Sequence, residues 1–216
     1  LLKLVKNQHP RTRGEAARVL ASLGSKKGVK ELTEAVKNET DLLIRDSLID
    51  ALAMTGSPKA VPILKGLLDD ADKYTEAVVV RALGRTGGKK EAKLVLGYLD
   101  DTNSSVQSAA IEALGRMKYK PAVESLSGFV GNRRYPWMQM AVFEALVRIG
   151  DVKKTQPVLE KMLRDSDRRD EVLYSGLAAA ALQIETLRPV FEKRLASFGM
   201  GGKLKDIVAY LFGDED

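Results

Sequence analysis

At 216 residues, 44% hydrophobic and 30% charged with only 7 prolines, the chain has the composition of one that folds around a core and not of a disordered segment. It contains no cysteine and one histidine, His9, which excludes disulfides, thiolate metal sites, histidine metal clusters and catalytic triads built on histidine. A formal charge of +6 suits either acidic partners or a solubility margin, and no run of about 18 apolar residues is present to insert into a membrane.

The first residues already belong to a repeat. Leu4 precedes Leu20 by the same sixteen residues that separate Leu67 from Leu83, so the chain is expected to begin inside the second helix of a repeat. The segment Val19 to Gly24 then recurs as Ala51 to Gly56, Ala82 to Gly87, Ala113 to Lys118 and Ala145 to Gly150. Its leucines, Leu20, Leu52, Leu83, Leu114 and Leu146, stand 31 or 32 residues apart, and a fixed period of that length marks stacked repeats. Each segment closes a stretch whose apolar positions recur at three and four, as in Ala110, Leu114 and Met117, which predicts an amphipathic helix, here called A. The glycine that follows in four of the five segments suits the left-handed position just past a helix.

After a short turn comes a second apolar run, helix B. It reads Val29/Leu32/Val36, Val61/Leu64/Leu68, Ala92/Leu96/Leu99, Val123/Leu126/Val130, Val158/Leu159/Leu163 and Val190/Phe191/Leu195. Polar breakers such as Asn38 to Asp41 and Asp100 to Ser105 separate each B helix from the next A helix and read as loops. The sixth repeat carries an unusually small run, Gly176 to Ala181, and a shortened turn at Gln183 to Thr186. Neither helix of a pair can bury its apolar stripe alone, so the pairs must stack. The expected fold is all-α, an α-solenoid of about six helical hairpins over residues 1–202. A capping helix with Leu204, Ile207, Val208 and Leu211 on one face, followed by an acidic tail, is expected over 203–216.

Asp41-Leu42-Leu43-Ile44-Arg45 and Ala51-Leu52, leading into Gly56-Ser57-Pro58-Lys59-Ala60-Val61-Pro62-Ile63-Leu64, resemble the HEAT-like repeats of the phycobilisome-lyase type. The resemblance extends over nearly the whole chain. It implies the solenoid fold, with a scaffold role in most settings and a lyase-subunit role in a few. The arginine early in helix A that belongs to this pattern is present as Arg13 and Arg45 and is replaced by Glu76, Gln107 and Gln139, so no continuous arginine ladder is expected.

Three surface features are candidates for function. Gly66, Gly97 and Gly128 recur at 31-residue spacing inside the helix B pattern, where other repeats carry Glu34, Lys161 and Lys193. Three glycines within helices cost roughly 3 kcal/mol against alanine. They therefore serve either close helix packing or a shallow trough in which a partner reaches the backbone, bordered by Lys65, Lys93, Tyr98 and Glu124. Lysines recur at the turns from A to B, with Lys27, Lys59, Lys90, Lys120 and Lys154 as the repeating members and Lys26, Lys89, Lys118 and Lys153 beside them. Acidic residues such as Asp41, Asp72 and Asp100 mark the opposite loops, several as expected N-caps of the next A helix. Cations near a helix N-terminus oppose its dipole. The lysine edge therefore reads either as a solvated row that hinders aggregation or as a site for an acidic protein or a nucleic acid. Arg133, Arg134, Tyr135 and Trp137 interrupt the acidic edge with residue types that concentrate in interface hot spots, although a tryptophan entering a helix also serves as core or cap.

No glycine-rich phosphate loop, metal motif or nucleophile motif is present, and the carboxylates stand in loop rows at repeat spacing instead of converging. Neither a cofactor nor a metal is expected. The residues lead to a non-enzymatic scaffold or adaptor that binds a protein or peptide along the concave helix B face. Nucleic-acid binding through the lysine edge and a lyase-like enzyme subunit are the alternatives.

Overall fold

The computed structural model describes residues 1–23, 28–69, 71–132, 136–200 and 204–213. Among them there is no strand, and helices alternate at the expected period. After a single 3-10 turn at Leu4–Lys6 come α1 (Pro10–Leu23) and α2 (Val29–Asn38), α3 (Leu42–Met54) and α4 (Ala60–Gly66), and α5 (Lys73–Thr86) and α6 (Lys89–Leu96). They are followed by α7 (Ser104–Arg116) and α8 (Ala122–Ser127), α9 (Gln139–Ile149) and α10 (Val152–Asp165), α11 (Arg169–Ala181) and α12 (Arg188–Ser197), and finally α13 (Leu204–Phe212). Odd-numbered helices up to α11 are the A helices and even-numbered ones the B helices, so the fold is the expected all-α solenoid of helical hairpins. None of the described helices is long and apolar enough to cross a membrane. The chain forms two compact units, Leu1–Met117 and Lys118–Asp216.

In the first unit α1, α3, α5 and α7 pack side by side. The repeating leucines Leu52, Leu83 and Leu114 are fully buried, together with Leu48, Ile49 and Ile111. Approach is tightest between α5 and α7, where a Cβ added at Gly84 would lie 2.5 Å from the Cα and Cβ of Ala113. Two bare helix surfaces thus meet where any larger residue would hold them apart. In the second unit the core gathers Phe143, Leu159, Leu163, Val172, Phe191 and Leu195. The small run in α11 has its reason here, because a Cβ on Gly176 would run into the Phe191 ring, which lies against that bare stretch of helix. Helix α13 packs on α11 and α12 and buries Val208. The side chains of Leu204 and Ile207 and the acidic tail at 214–216 lie outside the described residues.

Helix ends depart from the expectation at two repeats. Gly56 (φ 57°) and Gly150 (φ 67°) take the left-handed conformation that glycine adopts without a Cβ penalty. Gly87 does not: it is extended (φ −78°, ψ 163°). Crowding selects glycine there, since a Cβ would come within 2.7 Å of both Glu91 Cβ and Met117 Cε. In the fourth repeat, which has no glycine, Lys118 itself takes the left-handed turn at φ 50°. Gly24 lies outside the described residues.

Two of the expected acidic N-caps form. The Asp41 carboxylate accepts from the amides of Leu43 and Ile44, and the Asp72 carboxylate from that of Thr75. Helix α7 departs from the pattern, because Asn103 and neither Asp100 nor Asp101 accepts from Ser105 and Val106.

At four repeats the position of the interrupted arginine ladder holds the loop that precedes the A helix, whereas Glu76 pairs with Lys73 of its own helix and the Arg45 Nε is buried without a partner among the described residues. Arg13 donates to the carbonyls of Asn7 and Gln8 (3.0 and 3.2 Å) and pairs through two nitrogens with Glu39. Gln107 donates to the Leu99 carbonyl at 3.0 Å. Gln139 donates to the Phe129 carbonyl and accepts from the Gly131 amide, both at 2.8 Å. One repeat further on, buried Glu171 accepts from the Ser166 hydroxyl at 2.6 Å. Arginine is thus one of several donors or acceptors that satisfy buried loop groups at this place.

Candidate binding surface on the B helices

The glycine row does not lie inside helices. B helices that carry it stop early: α4 has 7 residues and ends on Gly66, α6 has 8 and passes at Gly97 into a 3-10 turn, and α8 has 6 with Gly128 next. Those with Glu34, Lys161 or Lys193 at the same position run to 10, 14 and 10 residues. Glycine, the weakest helix former after proline, marks where α-helix gives way to a tighter turn. Gly97 (φ −64°, ψ −23°) and Gly128 (φ −66°, ψ −17°) keep right-handed dihedrals that any residue can adopt.

Close packing does not account for Gly66 or Gly97 either. A Cβ at these two positions would meet nothing within 4 Å, whereas one at Gly128 would lie 3.3 Å from the Ser125 carbonyl. In the first unit the two exposed glycines are therefore bare backbone facing open space. They lie on α4 and at the end of α6, both of which pack on α5. Lys65 and Lys93 are exposed on the same helices, and Tyr98 is half-buried beside Gly97. Burial, followed by the negative charge of Glu76, pushes the Tyr98 hydroxyl above its ordinary pKa, with Lys73 acting in the opposite direction. In the second unit Glu124 is exposed one turn before Gly128.

Each unit also has a groove between two B helices. In the first, α2 and α4 flank an open cavity of about 640 Å³ bordered by Val29, Thr33, Glu34, Lys59 and Ile63. Glu34 is paired with Lys6, which holds its carboxyl below the usual range. In the second, α8 and α10 flank a cavity of about 550 Å³ with Val130, Pro157, Val158 and Met162 on its walls.

Cations fall into two populations. Arg13, Arg81, Arg85, Arg116, Arg148 and Arg168 all make ion pairs. Lys59, Lys89 and Lys90 in the first unit, and Lys118, Lys120, Lys153 and Lys154 in the second, are exposed at the A-to-B turns, and no ion pair involves them among the described residues. Lys26 and Lys27 lie outside those residues, as do Asp70 and three of the four hot-spot candidates, Arg133, Arg134 and Tyr135. Trp137 sits on the 3-10 turn Pro136–Met138 and is 64% exposed, with Met140 exposed nearby, so it is a surface residue and not core.

One network escaped the sequence reading. Across the first unit's A helices Asp50 pairs with Arg85 (2.5 Å), Arg81 with Glu112 (3.2 Å), and Glu112 with Arg116. Beside it, burial raises the Asp46 carboxyl above the usual range against the opposing hydrogen bond from Tyr74. Its signal was the 31- and 35-residue separation of opposite charges, one repeat apart, in Arg81/Glu112 and Asp50/Arg85.

A family model for HEAT repeats matches residues 1–84, 64–137 and 91–181, the stretch in which the A and B helices alternate. The chain belongs to the HEAT-repeat family. Solved structures agree on the fold of this HEAT-repeat chain. The complex of CpcE and CpcF of phycocyanin lyase from Nostoc sp. PCC7120 is similar at 22% identity and a TM-score of 0.61, over 99% of this chain and 92% of that one. An engineered protein is similar at 22% identity and a TM-score of 0.54, over 85% and 95%. No curated protein matches the chain in sequence. The lyase-type repeats that the motifs resembled and the fold of the CpcE and CpcF complex thus coincide.

Proposed function

We propose that this HEAT-repeat chain is a non-enzymatic scaffold that holds a protein or peptide against its B helices. The reading is carried by the contrast between the two sets of helices in the first unit. In the inner repeats α5 and α7 bury eight of 14 and eight of 13 residues, whereas α4 and α6 bury two of 7 and two of 8; α1, at the end of the row, buries three of 14. The A helices spend their side chains on one another, and the B helices keep exposed lysines, a groove and the bare backbone of Gly66 and Gly97 for something else. Stacked helical repeats present such surfaces to macromolecular partners, and unobstructed backbone lets a partner chain approach closely.

The test is capture from an extract of the source cells on immobilised full-length chain, comparing the wild type with Gly97→Leu and Lys90→Glu. A protein retained by the wild type and by Lys90→Glu, and reduced roughly tenfold by a Gly97→Leu chain of unchanged helix content, supports the reading. Retention that ignores Gly97→Leu, or retention only of nucleic acid that elutes as salt rises, overturns it.

A further inference from the structure

We draw no further inference here: the strongest candidate, the patch of exposed lysines Lys118, Lys120, Lys153 and Lys154 at two A-to-B turns of the second unit, carries nothing, because Glu124 and Asp151 share the same helix ends and nothing in the structure shows what covers it.

Discussion

Adding a single methyl group at Gly97 or at Gly84 should change stability in opposite directions. At Gly97 the dihedrals are right-handed (φ −64°, ψ −23°) and a new Cβ meets nothing within 4 Å. Alanine there loses no contact and narrows the unfolded ensemble, a gain of about 0.5–1 kcal/mol. In a chain of this length that raises the melting temperature by about 1–4 °C. At Gly84 the same methyl would lie 2.5 Å from Ala113 Cα and Cβ, where carbon–carbon contacts settle at about 3.5–4.0 Å. Because the obstacle is another helix backbone, no rotamer relieves it. Overpacking of this kind costs about 1–3 kcal/mol, more than the propensity gain, so Gly84→Ala should be destabilised by roughly 2 kcal/mol. Urea unfolding followed by far-UV circular dichroism decides both, with the slope m as the check that the transition keeps its character. A Gly97→Ala chain less stable than the wild type would refute the claim that this glycine faces open space.

Gln139→Ala should cost about 1–3 kcal/mol, because it strips a half-buried loop of two 2.8 Å hydrogen bonds at once; thermal melting measures the loss, and an unchanged midpoint would show that the loop holds without it. The Glu39 carboxyl is held below its ordinary pKa by the hydrogen bond from Arg13, against the opposing effect of burial. A carboxyl depressed in the folded state stabilises fully above its unfolded pKa, and that contribution disappears as pH falls through the folded value. Glu39→Gln should therefore be less stable than the wild type at neutral pH, and the gap in urea midpoint should close as pH drops below about 4; a gap independent of pH would contradict the sign.

The fold was legible because the leucine row, Leu20 to Leu146, is set by burial, and burial leaves a periodic trace in the sequence. The exposed turn lysines Lys59 and Lys90 could be placed because they keep the register of the buried leucines Leu52 and Leu83. Less legible was anything decided by what a residue faces. The spacing of Gly84, Gly87 and Gly97 cannot distinguish a glycine pressed on a helix from one crowded by a methionine or one facing solvent, and only contact distances separate the three. The row from Arg13 to Gln139 read as a broken ladder because residue identity was compared. What three of its members keep is a hydrogen-bonding duty to the preceding loop, which arginine and glutamine both perform.

That duty has a consequence for how such a chain is enlarged or shortened. Arg13, Gln107, Gln139 and Glu171 all belong to the first turn of an A helix or its entry, and each fastens the loop that comes before it. A duplication or deletion whose breakpoint falls between Gly131 and Gln139 parts a loop from its fastener and strands half-buried amide and carbonyl groups. A breakpoint deeper in the A helix moves loop and fastener together. The exchangeable module of this protein is therefore not the helical hairpin that the eye picks out, but a segment that starts and finishes inside A helices, and a gene that gains or loses such segments keeps these four loops tied.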